Sequence, residues 1–156
     1  MKAMAPTRPT ELQVSRMRQT CSIRLTASPV AAGEARGRVR AAIRAWDIPV
    51  EEDIAVLLTS ELVTNAISHE AGTTIMLSVT SSFGQLRVDV HDTSRTWPVL
   101  VDASADAEAG RGLMLVATFS ATWGIYRTPA GKAVYFTLAF DPGPPVDDGR
   151  AQTWGL

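Results

Sequence analysis

The chain has 156 residues, 46% of them hydrophobic and 20% charged, with a formal net charge of -1. That composition suits one soluble globular domain with a real core, and no apolar run is long enough to span a bilayer. Cys21 is the single cysteine, which excludes an intramolecular disulfide, and the two histidines, His69 and His91, form no zinc-type cluster. With no apolar leader segment near the basic N-terminus, a reducing, cytoplasmic setting and no membrane partner are expected.

Residues 1–20 contain Pro6, Pro9 and several arginines without an apolar period, and are expected to be a flexible tail. A short strand follows at 21–26, where Ile23 and Leu25 alternate with Ser22, Arg24 and Thr26. A first helix is predicted from about Pro29 to Trp46, with Ala35, Val39, Ala42, Ile43 and Trp46 as its apolar stripe. Arg36, Arg40 and Arg44 line another face at four-residue spacing. Residues 1–46 carry nine Lys/Arg against two acidic residues. The absence of interleaved aromatics argues against direct nucleic-acid binding, so this face reads as solvated or as a surface that steers an acidic protein partner.

The second helix starts after Pro49, with Glu51, Glu52 and Asp53 in the first turn where the helix dipole favours negative charge, and runs to about Glu70 before Gly72. On a helical wheel Ile54, Leu57, Leu58 and Leu62 share an arc with Glu61, Asn65 and His69, while Val56, Val63 and Ile67 form a second strip nearly opposite. The first arc is expected to meet a sheet and the second the first helix. A carboxylate and an amide in a core-facing arc are costly unless paired or bound to something. Buried hydrogen bonds, a water-filled cleft and a ligand site all fit the pattern. In the ligand reading, an amide oxygen at Asn65 suits magnesium and a carboxylate at Glu61, one turn away, suits proton abstraction.

A hairpin is predicted next: Ile75, Leu77 and Val79 on one strand, a turn at Ser81-Ser82-Phe83-Gly84, then Leu86, Val88, Val90 and Asp92 sharing one face of its partner. Asp92 either caps the following turn or offers a fixed acceptor to an amino group. Residues 93–111 lack a period and read as a long functional loop. Gly110-Arg111-Gly112-Leu113 is then expected to open a helix over about 112–119, where glycines and a helix N-terminus favour phosphate. Strands near 121–127 and 132–140, joined at Pro129-Ala130-Gly131, close the domain, and residues 141–156 read as a polar, disordered tail. The four tryptophans read as core or loop packing.

The order of these pieces resembles the GHKL ATPase superfamily, the ATP-binding fold of histidine kinases and gyrase. It looks most like its stand-alone anti-sigma-factor serine/threonine kinase branch. Glu61 to His69 (E-L-V-T-N-A-I-S-H) is similar to that branch's N box, Asp92-Thr93-Ser94 to its first glycine box, and Gly110 to Leu113 to its second. The resemblance spans about residues 21–140. It implies an α+β domain: a two-layer sandwich with a mixed, mainly antiparallel sheet covered on one face by helices (the Bergerat-type fold). It implies ATP and Mg2+ as ligands, with Asn65 as the magnesium ligand and Glu61 as general base. Asp92 would recognise the adenine amine, Ser94, Gly110, Arg111, Gly112 and Leu113 would line the nucleotide site, and 93–111 would be the ATP lid. The implied partners are an anti-anti-sigma protein, phosphorylated on serine or threonine, and a sigma factor, bound by a homodimer in many members.

Two departures bear on the adenine side. Asp92 is followed by Thr93, Ser94, Arg95 and Thr96 instead of the D-x-G-x-G pattern, and Ala133 stands where threonine is common after Gly131-Lys132. A lost hydroxyl there is worth roughly 0.5–1.5 kcal/mol. They motivate the competing expectation of a non-catalytic module that binds a sigma factor or other regulator. A detached histidine-kinase catalytic domain is a third reading, but the chain shows no upstream helix with an acceptor histidine.

Overall fold

The computed structural model describes residues 18–69, 74–94 and 107–143. The expected N-terminal tail before residue 18, the loop segment 95–106, the C-terminal tail after 143, and Trp97 and Trp154 lie outside the described residues. Strand β1 (Gln19–Thr26) leads into helix α1 (Ala31–Ala45) and helix α2 (Glu52–His69). The hairpin β2 (Thr74–Ser82) and β3 (Gln85–Asp92) follows, then helix α3 (Ala107–Phe119), β4 (Thr122–Arg127) and β5 (Lys132–Ala139). The sheet order is β1-β2-β3-β5-β4, and its four pairings are all antiparallel. This is the α+β sandwich expected from the sequence. β1 begins two residues earlier than its alternation suggested, because Gln19 and Thr20 pair with Ser81 and Thr80.

Period-two alternation sorts the sheet into two faces. Leu25, Ile75, Leu77, Val79, Leu86, Val88, Val90, Val134, Phe136 and Leu138 face the helices and are buried. They meet Ala35, Val39, Ala42 and Ile43 of α1, Ala55, Leu58, Leu62, Val63 and Ala66 of α2, and Leu113 and Val116 of α3. Trp46 and Trp123 pack against this core from its edge. The opposite face is polar and covered by its own side chains. Arg87 forks onto Asp89 and lies 4.0 Å over the Tyr135 ring, and the Tyr126 hydroxyl donates to Asp89 at 3.0 Å. Gly124 leaves the room Tyr135 occupies, since a Cβ there would stand 2.8 Å from the ring.

The end of the first helix has a local cause. α1 ends where Asp47 takes a left-handed conformation (φ 51°) and the Ile48 N–H donates to the Ile43 carbonyl. The arginine face of α1 is not simply solvated, as the sequence pattern suggested. Arg40 and Arg44 both donate to Glu52 (2.9 and 2.8 Å), and Arg36 donates to the Ser60 hydroxyl (3.1 Å). The four-residue spacing instead clamps α1 to α2. Among the described residues, no helix is long and apolar enough to cross a membrane.

Candidate functional site

The geometry revises the wheel on which Glu61 and Asn65 were placed. The centre of the sheet-facing side of α2 is Ala55, Thr59, Leu62 and Ala66, all buried, and Thr59 satisfies its hydroxyl on the Ala55 carbonyl. Leu57, expected in the same arc, is 40% exposed. Val56, Ser60 and Val63 turn toward α1. Glu61 and Asn65 therefore sit on the other flank of α2, one turn apart, on the side that packs against α3. The apolar count misled because the arc was centred about a quarter turn from the true core.

Asn65 retains only 8% exposure, yet its side-chain amide makes no hydrogen bond among the described residues; only its backbone carbonyl is engaged, by Ser68. Among the described residues the one fully enclosed side-chain polar atom without a partner is Ser120 Oγ, so the Asn65 amide atoms keep contact with solvent. Of the resolutions open from the sequence, internal hydrogen bonding is not the one adopted, and an opening onto water or a ligand is. Glu61 is half-buried and has no ion pair among the described residues. Its carboxylate lies against Gly112: a Cβ added to Gly112 would meet Glu61 Oε2 at 2.6 Å. The missing side chain of Gly112 is what lets the α2 carboxylate stand beside the start of α3.

The Gly110-Arg111-Gly112-Leu113 segment does not open a helix, contrary to expectation. α3 begins at Ala107, so Gly110, Arg111 and Gly112 lie in its first two turns. The alanines and glutamate at 107–109 are strong helix formers, and their propensity outweighs the glycines that suggested a boundary. Leu113 is buried in the core, Arg111 is exposed, and Gly112 lies against Glu61. His69 ends α2.

Asp92 ends β3 on the sheet face turned to the helices and is 4% exposed. Its Oδ1 accepts from the Ser94 backbone N–H at 2.9 Å, so it does cap the following turn. Ser94 is buried beside it. The same oxygen accepts from Lys132 Nζ at 3.1 Å, across the β3–β5 ladder. The concern over Ala133 is corrected by this register. Ala133 pairs with His91 and points to the opposite face, so the residue beside Asp92 is Lys132. Gly131 allows the approach, because a Cβ there would collide with the Asp92 carbonyl and stand 2.7 Å from the Thr93 Cα. Lys132 was read in the sequence only as part of the Gly131-Lys132 match and given no role, although a signal was present: it shares the period-two face of Val134, Phe136 and Leu138, where a lysine needs a reason.

These residues form two groups. Glu61, Asn65 and Gly112 gather at the α2–α3 contact, and Asp92, Ser94 and Lys132 gather at the β3–β5 end. α2 packs on both β3 and β5, so one helix spans the two groups. The sequence model of the histidine kinase-like ATPase domain matches residues 25–138, which includes every one of them. No curated protein matches the chain. With most of its length matched, the chain belongs to the histidine kinase-like ATPase domain family.

Proposed function

We propose that this histidine kinase-like ATPase domain binds ATP with magnesium and transfers the γ-phosphate to a serine or threonine of an anti-anti-sigma-type protein partner. The observation that carries the reading is the Asn65 amide, solvent-accessible on a largely buried residue and without a hydrogen bond among the described residues, one turn from Glu61, itself seated against Gly112. An amide oxygen free to accept, beside a carboxylate, is a donor set that suits a hard cation and its phosphates. Magnesium held by Asn65 would neutralise phosphate charge. Glu61 is positioned to take the proton of the acceptor hydroxyl. That oxygen forms the new bond to the γ-phosphorus, the bond from the γ-phosphorus to the β–γ bridging oxygen breaks, and ADP departs. The glycine at 112 keeps the space around the Glu61 carboxylate open.

The test is transfer of labelled γ-phosphate from Mg-ATP to purified anti-anti-sigma-type acceptors, each compared with its serine-to-alanine variant. Transfer that depends on the acceptor serine and disappears in Glu61→Ala, with ATP binding kept, is the expected result. Transfer unchanged in Glu61→Ala would exclude the proposed base.

A second reading has its own support. Asp92 is already engaged by Lys132 and Ser94, which suits a module that binds a sigma factor or another regulator without turnover. It predicts partner binding that survives Asn65→Ala and does not require ATP.

A further inference from the structure

The Lys132 side chain is almost fully buried, at 2% exposure, as is that of its partner Asp92 at 1%. An ammonium carries three protons. Only one of them has an acceptor among the described residues, Asp92 Oδ1. A buried ion pair is a poor way to stabilise a fold unless its remaining donors are also satisfied, and apolar residues of similar volume commonly serve better. The two spare donors of Lys132 are therefore an open account at the end of the sheet, beside the carboxylate and on the two strands that α2 packs upon. Lys132 also fixes that carboxylate. With Ser94 N–H and Lys132 Nζ both on Oδ1, the orientation of Asp92 is set from two sides.

We infer that Lys132 is a specificity-determining residue of the nucleotide site, donating to the adenine ring nitrogen that neighbours the exocyclic amine read by Asp92. The inference rests on the nucleotide-binding reading above. The edge of adenine presents an amine donor next to a ring-nitrogen acceptor. Asp92 and Lys132 present an acceptor next to a donor, a complementary set. Hypoxanthine presents the reverse, a carbonyl acceptor next to a ring N–H, and meets the pair in the wrong order. Leaving a buried charged donor unmatched is costly, so an edge that lacks the acceptor is penalised and not merely unrewarded.

The experiment is calorimetric titration of the full chain with magnesium and ATP, 1-deaza-ATP (ring nitrogen replaced by C–H), inosine triphosphate or tripolyphosphate. It is repeated on Lys132→Met and on Asp92→Asn/Lys132→Met, which removes both charges together. The wild type should bind ATP about 10- to 100-fold tighter than 1-deaza-ATP, the range of a charged hydrogen bond. In a folded variant lacking Lys132 that gap should close to within about twofold, while tripolyphosphate binding stays as in the wild type. Equal affinity of the wild type for ATP and 1-deaza-ATP would overturn the inference. So would a gap that persists without Lys132, since the pair would then be structural. If neither variant folds, the wild-type comparison decides by itself. Wild-type protein that binds ATP but fails these comparisons leaves the nucleotide site standing; protein that binds no nucleotide removes both.

Discussion

Two glycines shape the candidate site, and filling each has a different expected cost. At Gly112 a new Cβ meets the far end of the Glu61 side chain, which can rotate away. Gly112→Ala should leave the unfolding midpoint nearly unchanged, within the roughly 0.5 kcal/mol typical of tolerated substitutions, while displacing the carboxylate and abolishing phosphate transfer. At Gly131 the new Cβ meets the Asp92 carbonyl and the Thr93 backbone, which cannot rotate away. Gly131→Ala should cost on the order of 2–3 kcal/mol in urea unfolding. Equal behaviour of the two variants would contradict the packing described. At this scale the sequence disclosed residue types and not neighbours. Glu61, Asn65 and Asp92 stood out because polar groups interrupt apolar faces. Their contacts with Gly112 and Lys132 depend on cross-chain packing and strand register, which no local pattern encodes.

At the scale of elements, the α1–α2 pair is held by Glu52, which receives Arg40 and Arg44 together. Chiefly the hydrogen bond from Arg44, then the charges of both arginines, hold the Glu52 carboxyl below its ordinary range. A depressed carboxylate stabilises the fold above its unfolded-state pKa, and the contribution is lost as pH falls through the folded-state value. Glu52→Gln should therefore lower stability at neutral pH and converge with the wild type in acid, measured as urea midpoints across pH. A constant offset at every pH would rule the clamp out. The end of α1 offers a second test. Asp47 holds a left-handed conformation that glycine adopts without Cβ strain, so Asp47→Gly should stabilise by about 0.5–1 kcal/mol, read from thermal unfolding. Element existence and order were largely legible because their hydrophobic periods are strong. The start of α3 was not: Gly110 and Gly112 outweighed the alanines in the reading, whereas helix propensity prevails in the fold. The arginine stripe was seen, but a stripe does not reveal whether it faces water or a neighbouring helix.

At the scale of the whole molecule, one antiparallel sheet carries all three helices on one face, and α2 is the element that joins both halves of the site. The proposed metal-and-base half rests on a solvent-accessible amide with no hydrogen bond among the described residues. The proposed base-reading half rests on a buried carboxylate already paired with a lysine. The elements and their order were legible because the strands alternate cleanly and the helices are apolar on one or two sides, and the resemblance those ordered motifs carry implied the fold class. The division of the site was not legible, because it depends on which face of β5 each residue takes. The central claim is that the Asn65 amide, open to solvent and unpaired among the described residues, takes up a metal–nucleotide ligand. Calorimetric titration of Mg-ATP into the wild type and into Asn65→Ala tests it most directly. The account predicts saturable, magnesium-dependent binding to the wild type and at least about a tenfold loss, 1.4 kcal/mol, in a folded Asn65→Ala variant. Equal Mg-ATP affinity in the two proteins, or no binding to the wild type, would contradict it.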